Sequence, residues 1–449
     1  MTDWSTLTAR ELEVAALVAE GLTNKEIAAR LFLSERTAEG HLEHIRDKLG
    51  FSTRSQIATW YTQTRGAPVA TLPATPPVPR EPAPTTVRAP TARRAGALPR
   101  RALIGAALLV AIVVAAAVLF SRPTGPTLVL VAGLGTDGYS GDGGPALVAQ
   151  FSELNSMFFD ADGRLVVADS QSGPDPQGIF IDRTHIRRIA RDGTITTLSG
   201  DGALDPATSS NAAALRMSAQ GHAAWGRAGA IFVAFGYENQ TAGIPGGNLG
   251  RIDPDGTFHL LVAGVIPGYS AGGGSATLGR LVEPMGLAVD DDGTIYFLDH
   301  GNSVVRAMSP NGTITIFAGT GERGNTGDDG PATAATLFAP LAVALSANGS
   351  LFIADTNNNR VRRIDHGGAM RLVVAGLALP SSLAFGPGDV LYVANTGNAR
   401  VLRITPAGEI TTVAGPNGLL RPTALAVDTS GTLFIGDSGL HRIFKLTKG

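Results

Sequence analysis

Cysteine is absent from this chain of 449 residues. Its absence excludes a disulfide framework, a thiolate metal site and a catalytic thiol. A domain exported from the cytoplasm would therefore depend on its packed core alone. Charged residues are also few, at 16% of the chain, whereas 44% are hydrophobic. This balance favours an ordered chain with a membrane span, and the length leaves room for two or three domains.

One long run, residues 102–120, contains no charge, amide or proline: ALIGAALLVAIVVAAAVLF. As a helix it would be roughly 28 Å long, close to the roughly 30 Å of bilayer hydrocarbon. Four arginines lie just before it, at positions 93, 94, 100 and 101, and only Arg122 lies just after. The positive-inside rule then predicts a single-pass protein with a cytoplasmic N-terminus and an extracytoplasmic C-terminal part. A buried core helix is the alternative, although such a helix usually carries a polar stripe.

Capping motifs predict four short helices in residues 1–65. A Thr followed three residues later by Glu or Gln opens a helix, and such pairs begin at Thr8, Thr23 and Thr53. Ser34 is the candidate N-cap of the remaining helix, which Gly50 ends. Two helices joined by a tight turn, the second with a polar face, form a helix-turn-helix.

This segment resembles the DNA-binding domain of the LuxR-type (GerE-like) regulators. The resemblance rests on the paired acids Glu11 and Glu13, the run GLTNKEIA at residues 21–28, Thr37, and KLG at residues 48–50. It implies an all-α domain whose third helix, about residues 34–48, enters the major groove of double-stranded DNA. It also implies that the fourth helix supports a homodimer.

The residues expected to meet DNA follow from that placement. They are Lys25, Arg36, Arg46 and Lys48 as phosphate contacts, Thr37 as a phosphate or base contact, and Glu39, Gly40 and Glu43 at groove-facing positions. Relatives often carry Lys, Val and Lys at the last three. A carboxylate can accept a hydrogen bond from cytosine N4, but it repels phosphate. Residues 1–65 carry a net charge of −1, so we expect weak sequence-independent affinity. A protein-interaction module that has lost DNA binding is the alternative.

Residues 66–101 contain nine prolines and predict a disordered linker. Such a segment cannot bury a core and favours an extended polyproline II conformation. At about 3.1 Å per residue it could reach on the order of 100 Å, enough for a tethered DNA-binding domain to find its site.

A four-strand unit recurs six times in residues 127–449. Its second strand reads LVVAD, IFVAF, IYFLD, LFIAD, LYVAN and LFIGD, and Asp-Gly or Asn-Gly turns join the strands as hairpins require. The last copy lacks its closing strand, which residues 128–133 can supply. The pattern predicts an all-β six-bladed propeller closed by that N-terminal strand. The repeat resembles the NHL family, on ADTNNNRV at 354–361 and ANTGNARV at 394–401. That resemblance implies the fold and no single activity.

Departures from the repeat are the candidate ligand contacts, because propellers bind ligands at the channel mouth through residues that differ between blades. They are His222, Trp225, Tyr237 and Glu238 in the divergent second blade, and His300 in the third. The recurring Asp at the end of the second strand is interpreted as structural, in partnership with the Asn and Arg of the same motif, rather than as a metal ligand. No metal site, catalytic residue or cofactor is predicted.

These features together predict a membrane-tethered one-component transcription regulator of a bacterial plasma membrane. Its cytoplasmic domain would bind DNA, and its propeller would bind an extracytoplasmic ligand or protein. Two alternatives stay open. One is a propeller enzyme of the lyase or lactonase kind, although no catalytic motif is present. The other is a cell-envelope scaffold with a vestigial DNA-binding domain, which Glu39 and Glu43 would favour.

Overall fold

The computed structural model of the chain describes residues 14–15, 17–19, 22–24, 27, 42, 45–46, 48–49, 51, 53–65, 126–174, 180–200, 209–237, 246–263, 274–275 and 281–447. The chain divides into two compact units, residues 1–97 and 98–449. The predicted linker and the predicted span at 102–120 lie outside the described residues. Within the described part, no helix is long and apolar enough to cross a membrane.

The N-terminal unit is built around one apolar cluster. Its buried members are Val14, Ala15, Leu17, Val18, Ile27, Leu42, Ile45, Leu49 and Ile57. These side chains come from all four predicted helices, and spacings of three or four residues place Val14, Leu17 and Val18 on one face of the first helix and Leu42, Ile45 and Leu49 on one face of the third. The predicted helix-turn-helix therefore has a packed apolar interior, as such a domain requires.

The last helix of this unit, α1 (Arg54–Arg65), begins at the predicted capping box. The Thr53 amide donates to the Gln56 side-chain oxygen at 2.9 Å, and the Gln56 amide donates to the Thr53 hydroxyl at 3.4 Å. The Arg54 guanidinium donates to the Asn24 side-chain oxygen and to the Leu22 carbonyl. These bonds tie the start of α1 to the start of the second helical segment.

The second unit consists of antiparallel strands in chain order. They are β1 (Thr127–Ala132), β2 (Glu153–Phe159), β3 (Leu165–Pro174), β4 (Phe180–Ile189), β5 (Ile195–Ser199), β6 (Ser218–Trp225), β7 (Ile231–Tyr237), β8 (Gly246–Ile252), β9 (Phe258–Ala263), β10 (Gly274–Ser275), β11 (Pro284–Val289), β12 (Ile295–Asp299), β13 (Val304–Met308), β14 (Thr313–Ala318), β15 (Ala342–Leu345), β16 (Leu351–Asp355), β17 (Arg360–Ile364), β18 (Met370–Ala375), β19 (Pro380–Gly386), β20 (Val390–Asn395), β21 (Arg400–Ile404), β22 (Ile410–Ala414), β23 (Pro422–Val427), β24 (Leu433–Asp437) and β25 (Arg442–Thr447).

These strands form six blades, so the predicted six-bladed propeller is confirmed. The blades are β2–β5, β6–β9, β11–β14, β15–β18, β19–β22, and β23–β25 with β1. In the sixth blade β1 lies antiparallel to β25, with Leu128 opposite Leu446 and Leu130 opposite Phe444. The strand at the start of the propeller thus completes its last sheet and leaves no gap in the ring.

Two blades depart from this regularity on the same side of the ring. In blade 1, β3 and β4 have ten residues each, and in blade 2, β7 and β8 have seven. Their counterparts in blades 3 to 6 have five or six. We call these two pairs the raised hairpins. A bridge between Arg183 of β4 and Ser218 of β6 joins blades 1 and 2 into one sheet. Gly221 permits this approach, since a Cβ there would collide with the Thr184 side chain.

Candidate ligand-binding channel

The first strands of the six blades, β2, β6, β11, β15, β19 and β23, surround a central channel of about 580 Å³. Small side chains line its middle: Ala223, Ala288, Ala344, Ala384 and Ala426, each from a different strand. The volume lies within the range of small-molecule sites, roughly 300–1,000 Å³. One end of the channel lies beside the ends of the second strands, and the other lies beside the hairpin turns between first and second strands.

The recurring acids at the ends of the second strands are structural. Each accepts a hydrogen bond from the backbone amide 17 residues earlier: Asp169 from Ser152, Asp299 from Val282, Asp355 from Phe338, Asp437 from Leu420, and Asn395, which stands in for Asp, from Ala378. Asn358 also donates to Asp355, at 2.9 Å, and Asn302 donates to Asp299 in the same way. Burial raises the pKa of Asp299 and Asp355, and that of Asp169 to about 7. These four carboxylates and the Asn395 amide therefore hold the chain segments that lead into five of the six blades, and blade 2 carries Phe235 at this position.

Two buried arginines connect the same acids to the loops between blades. Arg187 contacts Asp142 at 2.7 Å and Asp169 at 3.5 Å. Arg362 makes the same two contacts in blade 4, with Asp328 at 2.8 Å and Asp355 at 3.5 Å. Both arginines are fully buried. The Gly-Asp-rich loops at residues 141–146 and 327–332, which carry Asp142 and Asp328, thus supply a counter-charge to a buried cation.

His222 is one of two departures from the repeat that line the channel, the other being Trp225. His222 pairs across the sheet with Ala234. The same register position holds Ser156, Ala342, Ser382 and Ala424 in four other blades. An imidazole therefore projects where the neighbouring strands carry small side chains. It lines the channel with 9% of its surface exposed.

The His222 imidazole is neutral at physiological pH. Burial is the larger cause and the charge of His300 the smaller, and together they lower its pKa to about 4. No hydrogen bond joins this imidazole to the residues that the structure describes. A neutral imidazole has one donor and one acceptor nitrogen, so this channel-lining ring can serve a ligand in either capacity.

Trp225 lies at the other end of the same strand, in a ring of apolar side chains. It pairs with Ile231, and its register equivalents are Phe159, Val289, Leu345, Phe385 and Val427. His222 and Trp225 are three residues apart and so lie on opposite faces of β6, about 10 Å apart along it. The channel therefore has a polar end, with His222, Asn155 and Ser381, and an apolar end, with Trp225.

His300 has a structural role. It follows Asp299, and its Nδ1 lies 2.9 Å from the carbonyl oxygen of Pro340 in the next blade. A carbonyl only accepts, so Nδ1 carries the proton. Thr356 and Thr396 donate to Pro380 and Pro422 at the same place in later blades, at 2.8 and 2.7 Å. His300 is close enough to His222 to influence the pKa of His222. The His300 ring itself joins blades 3 and 4.

The remaining predicted residues are less fully placed. Tyr237 ends β7 in the second raised hairpin, but its side chain and Glu238 lie outside the described residues. Arg46 is helical and half-buried, and Lys48 is helical and exposed. Outside the described residues lie Lys25, Arg36, Thr37, Glu39, Gly40 and Glu43. Asn155, Ser156 and Ser382 are channel residues that the sequence analysis missed, although aligning the first strands by repeat register would have found them.

Comparison with known proteins identifies the N-terminal domain. Residues 5–61 match the bacterial regulatory proteins of the luxR family (GerE). A Mycobacterium bovis protein named as an HTH-type transcriptional regulator is 48% identical over 65 residues. That match covers 14% of this chain and only 7% of the relative, so the two proteins share this one domain.

Solved structures are similar over most of the chain at low identity. A protein of unknown function from Bacteroides thetaiotaomicron superposes with a TM-score of 0.50 and 13% identity, covering 72% of this chain and 76% of that one. Virginiamycin B lyase from Staphylococcus aureus gives 0.43 and 18%, covering 72% and 85%. The similarity to the Bacteroides protein shows a shared fold alone. The chain thus combines a LuxR-type DNA-binding domain with a six-bladed β-propeller.

Proposed function

We propose that this chain is a one-component transcription regulator tethered to the bacterial plasma membrane, with its propeller outside the cytoplasm. The observation that carries the proposal is the presence, in one polypeptide, of a LuxR-type domain and a propeller with an open central channel. Ligand sensing by the propeller and DNA binding by the N-terminal domain then need no second protein. The apolar run at 102–120 is the membrane segment, and the arginines before it set the orientation.

Dimerisation is the mechanism that this organisation favours. A single span transmits little as a monomer, whereas a ligand that changes the association of two propellers also changes that of two DNA-binding domains. A two-fold dimer reads two half-sites about one helical turn apart. We therefore propose a homodimer on an inverted repeat, with Glu39, Gly40 and Glu43 facing the groove, Arg36 on a phosphate, and Thr37 on a phosphate or a base.

The propeller acts as a binding module in this proposal. Among the described residues that line the channel, His222 and Asp160 are the groups suited to proton transfer. They lie at opposite ends of it, and Asp160 is held by Arg164 at 2.7 Å. General acid–base pairs must both reach the reacting group. If the purified protein hydrolysed a lactone and the His222→Ala variant did not, the propeller would be an enzyme rather than a binding module.

Genome-wide DNA occupancy of the full-length protein in its own cells tests the regulator. We expect a few sharp sites that share an inverted repeat, and loss of those sites when Arg46 and Lys48 are both changed to Ala. Normal membrane levels of the variant serve as the control. No enrichment for the wild type, at normal abundance, would contradict the proposal.

Alkaline phosphatase fusions test the orientation separately. A fusion after Gly449 should be active, because the enzyme matures only outside the cytoplasm, and a fusion after Arg65 should be inactive. The opposite pattern at equal expression would overturn the topology.

A further inference from the structure

The polar end of the channel is the part of the propeller that departs most from six-fold regularity. The two raised hairpins belong to adjacent blades and extend beyond the ends of the second strands, which is the side of the polar end. His222 lies on β6, between the raised hairpin of blade 1 and that of its own blade. The lengthened hairpins and the unusual His222 side chain thus lie toward the same side of the propeller.

The two serines that share the register position of His222 already make hydrogen bonds within the propeller. The Ser156 hydroxyl accepts from the Ala223 amide at 2.9 Å and donates to the Ala223 carbonyl at 3.2 Å. The Ser382 hydroxyl accepts from the Leu425 amide at 3.1 Å. Both serines thus bond the first strand of the next blade. His222, at the same register position, makes no such bond to the described residues.

None of the described residues that line this end of the channel carries a charge. Among the described residues that line the whole channel, the one charged side chain is Asp160, at the opposite end. Asp160 is already bonded to Arg164 and to the backbone amide of Asp162. Burying an ion without a counter-charge is strongly unfavourable. Alanine, leucine and valine side chains make up most of the wall, which favours an apolar ligand body.

We propose that the channel binds an uncharged small molecule with a largely apolar body and one hydrogen-bonding group, and that His222 at the polar end contacts that group. This inference rests on the proposed role of the propeller as the sensing module, and it names the chemical class that the module senses. The apolar ring containing Trp225 receives the other end of the molecule. A hydroxyl, carbonyl or amide satisfies the imidazole equally, because a neutral ring can donate or accept.

Three probes of one shape separate the alternatives: 1-naphthol, naphthalene and 1-naphthoate. Equilibrium dialysis of the full-length protein in one detergent measures each dissociation constant, with protein-free micelles correcting for partition. We expect 1-naphthol to bind about fivefold more tightly than naphthalene, as one net hydrogen bond provides. 1-Naphthoate should bind more weakly than 1-naphthol.

Variants locate the effect. His222→Ala should remove the preference for 1-naphthol over naphthalene, and His222→Gln, which keeps a donor and an acceptor, should retain most of it. His366→Ala, at an exposed position in a turn, is the matched control and should change nothing. Thermal unfolding midpoints report whether each variant is folded.

Three results would overturn the inference: no binding of any probe, 1-naphthoate binding at least as tightly as 1-naphthol, or an unchanged preference in folded His222→Ala. The DNA occupancy experiment is independent of this one. Probe binding without DNA occupancy would leave the channel inference standing and remove the regulator. DNA occupancy without probe binding would support the regulator and overturn the channel inference.

Discussion

His300 donates a hydrogen bond from Nδ1 to the carbonyl oxygen of Pro340, 2.9 Å away, and so joins the third blade to the fourth. Thr356 and Thr396 do the same for the next two pairs of blades. His300 is unusual in the sequence, but it makes the same hydrogen bond to the next blade that a threonine makes at this position in blades 4 and 5. The exceptional residues that do line the channel are His222 and Trp225, both on the neighbouring blade.

The His300 contact predicts a stability difference between two substitutions. His300→Ala removes the donor and leaves the Pro340 carbonyl without its partner, so the free energy of unfolding should fall by about 1 kcal/mol. His300→Thr supplies the hydroxyl used in blades 4 and 5 and should recover most of the loss. Urea unfolding of the full-length protein measures both. Equal losses in the two variants would mean that packing of the ring, rather than its hydrogen bond, stabilises this junction.

Arg362 and Asp355 should show strong energetic coupling. Arg362→Leu leaves the buried Asp355 carboxylate without its cation and should cost about 3 kcal/mol. Blade 5 carries Asn395 and Leu402 at the corresponding positions and is folded. The double variant Asp355→Asn, Arg362→Leu copies that pair, so its loss should be smaller than the sum of the two single losses. A double-mutant cycle by urea unfolding provides the measurement, and simple additivity would show that the pair is not coupled.

The lowered pKa of His222 predicts that the protein loses stability as the pH falls. That pKa is about 4 in the folded protein and near 6.5 in the unfolded chain. Between these values the unfolded chain binds a proton that the folded protein excludes, so stability falls as pH decreases from about 6.5 to about 4. A shift of this size corresponds to about 3 kcal/mol.

The variant His222→Ser, which copies Ser156 and Ser382, should lose stability less steeply over this pH range. Unfolding free energies at pH 7 and pH 4.5 give the comparison. Asp169, whose pKa is raised to about 7, contributes in the opposite direction but equally in both proteins. Identical pH dependence in the two would contradict the burial of a neutral His222.

Lys48 should contribute to DNA affinity through charge alone. It is exposed on the predicted recognition helix, whereas Ile45 and Leu49 beside it are buried. Lys48→Gln should weaken binding to all sequences alike and reduce the slope of log affinity against log salt by about 0.9, as expected for one phosphate contact. Fluorescence anisotropy with specific and random duplexes measures both quantities. A loss confined to the specific duplex would mean that Lys48 reads a base.

Local patterning explains which parts of the fold could be predicted. The Thr53–Gln56 box and the buried Leu42, Ile45 and Leu49 depend on spacings of three and four residues, which the sequence displays directly. The six blades follow in the same way from a repeating strand unit with Asp-Gly turns. What such patterns leave undecided is which polar side chains are engaged after the ring closes.

That question depends on residues far apart in the chain. His300 meets Pro340 40 positions later, and Ser156 meets Ala223 67 positions later. A sequence window contains neither pair, because each contact forms only when one blade packs beside the next. Spacing within the sequence was enough to predict the short helices, the six blades and the unusual residues. That His300 joins two blades while His222 lines the channel follows from tertiary packing, because closure of the ring bonds His300 to the next blade and, among the described residues, leaves His222 without a hydrogen-bond partner.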